Sequence, residues 1–150
     1  MTILVTGAAG FIGSHLSKTL LEQDQKVIGI DNLNAYYSVE LKQARLDRLT
    51  PHKNFTFYKI DFSDQQAVFD LMEKHPEIEG IIHLGAQAGV RHSLVAPHDY
   101  VKANITGHLS MMEGARRLKN FKHFVYASSS SIYGANTKIP FSVKDMTDAP

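Results

Sequence analysis

Seven residues near the start of the chain, Gly7-Ala8-Ala9-Gly10-Phe11-Ile12-Gly13, set three glycines at regular spacing. Glycine is needed where a backbone turns tightly, where it must approach a phosphate, and where a helix packs closely on its strand. The run lies between an apolar stretch, Thr2–Thr6, and an amphipathic one beginning at Phe11. It would therefore open a helix whose free N–H groups and positive dipole end receive a pyrophosphate. The spacing is GxxGxxG and not GxGxxG, and a tight turn without a ligand is the alternative. Asp31 follows 18 residues after Gly13, at the end of a second apolar run. A carboxylate there accepts hydrogen bonds from an adenosine ribose and repels a 2′-phosphate. Asn32 and Leu33 come next, and no arginine, which favours NAD over NADP. A turn or cap role is the other one open to Asp31.

Three further places carry chemistry. Asp61 ends a third strand-like run and can reach an adenine edge, or can cap a helix ahead of Asp64. Leu84-Gly85-Ala86 ends a fourth run in small residues, which let a flat cofactor lie against the backbone; an ordinary small-residue turn would look the same. Ser128 to Ser131, followed by Ile132-Tyr133-Gly134, place four hydroxyls after a fifth run. They are a solvated loop, or they hydrogen-bond a reacting sugar hydroxyl or carbonyl.

The elements that must position these residues follow from periodicity. Strands are predicted at Thr2–Thr6, Lys26–Ile30, Phe55–Ile60, Gly80–Leu84 and Lys122–Ala127. Helices are predicted from Phe11 to about Gln23, at Val39–Leu49, at Asp64–His75 before Pro76, and as one long helix from Pro97 to about Lys119. Ser128 to Pro150 has turn-prone composition and no strong period. Strands alternating with helical crossovers give an α/β fold with a doubly wound parallel sheet (Rossmann), ordered 3-2-1-4-5. Ligands of such a sheet bind outside the C-terminal strand ends, where every residue above lies.

Composition excludes several alternatives. The 150 residues suit one domain, and 16 basic against 15 acidic side chains leave a net charge of +1, without the basic stripe that nucleic acid or anionic lipid selects. There is no cysteine, so disulfides and thiolate chemistry are out. The eight histidines are scattered without metal-ligand spacing, and no metal site is expected. No apolar run is long enough to span a membrane, and the chain enters a strand-like run without a signal peptide. A cytoplasmic protein is the expectation.

These motifs together resemble the extended short-chain dehydrogenase/reductase family, the NAD-dependent epimerases and dehydratases of nucleotide sugars, along essentially all 150 residues. The likeness is strongest to its UDP-glucuronate 4-epimerase branch, through Ile30 to Tyr37, Ala86-Gln87-Ala88-Gly89-Val90-Arg91 and Ser128 to Phe141. The resemblance implies that Gly7, Gly10, Phe11, Ile12 and Gly13 hold the NAD pyrophosphate, and Asp31 with Asn32 the adenosine ribose. Asp61 and Phe62 would flank the adenine, Leu84, Gly85 and Ala86 would line the cofactor, and Asn104 would support the cofactor loop. Ser129 would be the catalytic serine, and Ser130 and Ser131 would contact the sugar. Arg91 would meet an anionic substrate group, or is a solvated loop charge. Related dehydratases carry Asp-Glu where this chain has Ser130-Ser131, and decarboxylases carry a glutamate at the second position. Two serines lack the acid that loss of water or carbon dioxide requires, which fits epimerisation. Gly85 stands where the family usually has alanine, a change expected to matter little.

One family feature is missing. The Tyr-x-x-x-Lys pair, whose tyrosine acts as acid and base and whose lysine lowers its pKa, occurs nowhere: residue i+4 of the six tyrosines is Glu40, Leu41, Phe62, Asn104, Ser130 or Thr137. In the family that tyrosine comes a few residues after a proline matching Pro150. The expectation is an N-terminal half: an NAD-binding domain that is incomplete at its C-terminal side, lacks the substrate domain, and does not turn over a UDP-sugar alone. Family members commonly dimerise through the long helix, here Pro97–Lys119.

Overall fold

The computed structural model describes residues 1–147; the proline equated above with the family's, Pro150, lies outside them. Five parallel strands, β1 (Thr2–Thr6), β2 (Lys26–Asp31), β3 (Phe55–Lys59), β4 (Ile78–His83) and β5 (His123–Tyr126), form one sheet in the order β3-β2-β1-β4-β5. Three of the crossovers are helices at the anticipated places: α1 (Phe11–Glu22), α2 (Val39–Asp47) and α3 (Gln65–Lys74). β1 is buried along its whole length because helices cover both faces, which explains its unbroken apolar run. Alternate side chains feed two cores. Leu4, Ile28 and Ile30 pack with Val68, Met72 and Met111, while Ile3, Val5 and Val27 pack with Leu21, Leu46 and Phe55.

Register aligns the strand ends. Thr6 pairs with Ile30 on one side and with His83 on the other, so the loops after β1, β2 and β4 leave the sheet side by side. β4 starts at Ile78, two residues before the predicted Gly80, across an irregularity opposite Thr2 and Ile3. The polar Glu79 hid that start; its carboxylate accepts from Thr2 N at 3.2 Å and pairs with Lys122.

The long helix is corrected more substantially. It begins with α-helical Pro97–Tyr100 (α5), widens to a π-helix over Val101–Gly107, and resumes as α6 (His108–Ala115), ending four residues before Lys119. Arg117 N donates to Gly114 O and Leu118 N to Ala115 O, so tight i,i+3 turns end it. A widened turn keeps apolar residues on one side, so periodicity could not reveal it. Two short pieces were also not anticipated: α4 (Val90–Ser93) and a 3₁₀ turn over Ser130–Tyr133. No helix of the described residues is long and apolar enough to cross a membrane, and no cluster of three or more potential metal ligands occurs among them.

At the aligned strand ends one hydroxyl joins two strands. Thr6 Oγ1 accepts from Leu84 N at 3.1 Å and Gly85 N at 2.8 Å, and lies 2.8 Å from His83 Nδ1. With both lone pairs used, its proton goes to Nδ1, so His83 is neutral and carries its hydrogen on Nε2. Burial, with His108 adding repulsion, pushes the His83 pKa from 6.5 down to about 4. An imidazole held neutral stabilises the fold fully above pH 6.5, and that contribution is lost as pH falls from 6.5 through 4. Urea unfolding from pH 7.5 to 4.5 should show a loss approaching about 3 kcal/mol from this group. In His83→Asn, which keeps an acceptor for Thr6, the slope should fall by one proton; an unchanged slope would contradict the assignment.

Candidate functional site

The aligned loops enclose a cleft of about 740 Å³, within the range of small-molecule sites. Its floor is the glycine turn. Gly7 has φ +67°, a conformation suited to glycine, and a Cβ there would press on the Gly85 backbone at 3.1 Å. A Cβ on Gly13 would lie 2.1 Å from Gly7 O, so only glycine lets α1 pack this closely on the turn. Gly10 caps α1 without a side chain, and no acid occupies the first helical turn. The N–H groups of Phe11, Ile12 and Gly13 find no backbone acceptor, so the helix offers three donors to the cleft.

Asp31 is buried at the wall. Its Oδ2 accepts from Ala9 N at 3.3 Å and its Oδ1 from Leu33 N at 2.8 Å, while Lys42 Nζ lies 3.6 Å from Oδ1. Asn32 lines the same wall, its Oδ1 accepting from Asn34 N at 3.1 Å. Asp61 faces them from the end of β3. Burial works against its ionised form, but Ser63 N and Oγ, at 3.0 and 2.7 Å, and Lys102 at 3.1 Å hold the carboxyl below the usual carboxylate range. The helix cap that was its alternative role belongs to Asp64, which accepts from Ala67 N.

Leu84, Gly85 and Ala86 close the far side. Here an expectation fails, because Gly85 is not a neutral replacement. A Cβ on it would stand 2.5 Å from the Phe62 ring and 3.0 Å from Thr6 Oγ1. Gly107, in the π-helical segment, touches the other edge of the same ring: its Cβ would also come within 2.5 Å. The buried Phe62 is thus clamped between two glycines on different elements, with the His83 ring perpendicular to it at 5.1 Å.

The remaining predicted residues stand outside the cleft. Asn104 braces it from behind: Oδ1 accepts from Gln87 N at 2.8 Å and Nδ2 donates to Gln87 O at 3.0 Å. Ser129 caps the 3₁₀ turn, its Oγ accepting from Ser131 N at 3.2 Å and donating to Ser131 Oγ at 3.1 Å. Ser129, Ser130 and Ser131 are exposed, and Arg91 is exposed on α4 away from the cleft lining. Sequence reasoning missed Lys42, Arg45, Lys102, Tyr36 and Tyr37, which all line the cleft. For Lys42 the signal existed. Lys42, Leu46 and Leu49 fall at i, i+4 and i+7 and are all buried, while Leu41 is half exposed.

The sequence pattern described as GDP-mannose 4,6 dehydratase matches residues 4–149. The chain belongs to this NAD-dependent epimerase/dehydratase family. An uncharacterised protein of Methanocaldococcus jannaschii is 56% identical, the match covering 99% of this chain and 45% of that protein. UDP-glucuronate 4-epimerase 4 of Arabidopsis thaliana is 43% identical over 100% of this chain and 34% of its own length. The crystal structure of UDP-glucuronic acid 4-epimerase from Bacillus cereus, in complex with UDP-glucuronic acid and NAD, superposes with a TM-score of 0.87 at 32% identity, covering 99% of this chain and 46% of that one. The chain therefore spans less than half the length of these relatives. Within the family, the Phe62 clamp makes Gly85 a consequential choice. Gly85→Ala should cost about 1–3 kcal/mol by overpacking. Combining it with Phe62→Leu should restore part of that loss, and a double-mutant cycle by urea unfolding should give a coupling of at least about 0.5 kcal/mol. Purely additive costs would show that the two positions do not compete for space.

Proposed function

We propose that residues 1–150 form the NAD-binding domain of a nucleotide-sugar epimerase interconverting UDP-glucuronate and UDP-galacturonate. The observation that carries this reading is the convergence of the glycine turn, Asp31, Asp61 and the Leu84–Ala86 loop on one cleft. The residues fit the cofactor. Three unpaired amides at the uncapped start of α1 suit a pyrophosphate, and the Asp31 carboxylate stands where an adenosine ribose would follow. Asp61 and Phe62 would flank the adenine, and Asn104 would keep the Gln87 loop in place. When bound, NAD would take a hydride from C4 of the sugar and return it to the opposite face, so it is not consumed. The Ser129 hydroxyl would hold the C4 oxygen, Ser130 and Ser131 would contact the sugar, and Arg91 would pair with its carboxylate. Ser130 and Ser131 carry no titratable acid, which supports epimerisation over loss of water or carbon dioxide.

No tyrosine of the chain has a lysine four residues on, which favours a second reading of these 150 residues by themselves, a module that binds NAD without catalysis. Both readings require NAD binding, measurable by titration calorimetry; its absence would sink both. Incubated with UDP-glucuronate, the 150-residue chain should form no UDP-galacturonate, and detectable product would refute the need for the missing pair.

The long helix adds a proposed association. Val101, Ile105, Leu109 and Met112 recur at helical spacing and are each 47–64% exposed. A second copy would cover this stripe, since contiguous apolar surface of this kind marks an interface. Light scattering should show self-association that rises with concentration and is lost in Ile105→Glu; a clean monomer at high concentration would rule it out.

A further inference from the structure

At the wall of the cleft the charges are arranged in an unexpected way. Lys42 is only 6% exposed, and its ammonium donates to Asn34 O and Asn34 Oδ1, each at 3.1 Å, beside Asp31. A buried ammonium needs hydrogen-bonding partners of this kind. Arg45, less than one turn further along α2, lines the same cleft, with Nη1 3.4 Å from Ala9 O and its guanidinium 6.0 Å from the Phe11 ring. Among the described residues no carboxylate pairs with Arg45. Two cations thus face one carboxylate at the end of the cleft assigned to the ribose, where the sequence alone offered only the negative charge of Asp31.

We propose that Lys42 and Arg45 are specificity-determining residues: together they form a receptor for a phosphate on the 2′ carbon of an adenosine ribose, whose attraction the Asp31 carboxylate opposes without abolishing it. The inference rests on the cleft being the NAD site. Asp31 occupies Lys42 and also takes the N–H groups of Ala9 and Leu33, so one side chain holds three donors, with Arg45 nearby on Ala9 O. A 2′-phosphate would meet the carboxylate at close range and be repelled. With that charge gone, the ammonium, the guanidinium and the released amides converge on the same space, and a phosphate is the group that uses such donors best. NAD preference in this chain is then set by one carboxylate over a preformed anion site, and not by a lack of cations.

Binding of NAD and NADP to the protein by titration calorimetry at low salt tests this. Asp31→Asn should shift the affinity ratio toward NADP by at least about tenfold, and Lys42→Met added to it should reverse the shift. Should Asp31→Asn fail to fold, as its circular dichroism would reveal, Arg45→Met decides, because Arg45 makes no ion pair to lose. It should move the ratio toward NAD by about tenfold, read by competition of NADP against bound NAD. A wild type that binds NAD, with a ratio unmoved by Arg45→Met or no NADP gain in folded Asp31→Asn, overturns the inference and leaves the cofactor reading standing. A wild type that binds neither dinucleotide overturns both.

Discussion

The hydroxyl of Thr6 is the constraint around which this site is organised. It has two lone pairs and one proton, and the structure uses all three: the amides of Leu84 and Gly85 take the lone pairs and His83 takes the proton. Because β1 and β4 are in register at Thr6 and His83, this one group fixes how the β4 loop leaves the sheet. The loop's position places Gly85 against the Gly7 turn and leaves the space that Phe62 fills. The Phe62 ring in turn reaches Gly107 on the widened helix, whose Asn104 holds Gln87 in the same loop. The arrangement closes on itself: sheet, loop, ring and helix each limit where the next can go. An apolar residue at position 6 would bury as well but would leave two amide donors unpaired, which costs more than a lost contact.

Charge is handled differently at the two acidic positions. Asp31 and Lys42 are both buried, and bringing two ions out of water is rarely favourable in itself. The pair persists because amides and Asn34 satisfy the remaining hydrogen-bonding capacity on each side. Asp61 is half exposed, and its partner Lys102 lies mostly in solvent, so that pair is screened and contributes little to stability. Its main effect is to keep Asp61 ionised beside the cleft. The Asp31 end of the cleft is therefore buried and close to electrically balanced apart from Arg45, while the Asp61 end is open to solvent.

What the sequence made legible follows from which physical signal each feature leaves. Strands buried on both faces leave continuous apolar runs, and β1 and β2 were readable nearly to the residue. The glycine turn was readable because backbone geometry forces residue type, most plainly at Gly7 and Gly13. The π-helical stretch was not, since an i,i+5 turn changes backbone bonding without breaking the surface pattern. Lys42 was missed for another reason: its spacing with Leu46 and Leu49 puts it on the buried face, but its residue type argues for solvent until the ion pair from a different element is seen. Gly85 shows a third limit. Taken alone it is a one-methyl difference from alanine, and its meaning appears only when Phe62 and Gly107 are seen on either side of it.

The two halves of the proposed site differ in how far they are built in advance. On the cofactor side, Asp31 and Lys42 are buried and hydrogen-bond to other elements, and Gly85 cannot be replaced without moving an aromatic ring. On the sugar side, Ser129 and Ser131 bond to each other within one exposed turn, and Arg91 sits on a four-residue helix with no partner among the described residues. Groups that must act on a reacting atom need supporting contacts that hold their rotamers, and these have none from a second element. In the proposed site, binding of a dinucleotide and chemistry on a sugar would be separable for a physical reason: the first would use contacts the fold already makes, the second would need ordering of side chains whose present bonds are to their own neighbours. A ligand on the sugar side would have to supply that order from its own binding energy, which weakens it relative to a ligand entering the prepared cleft.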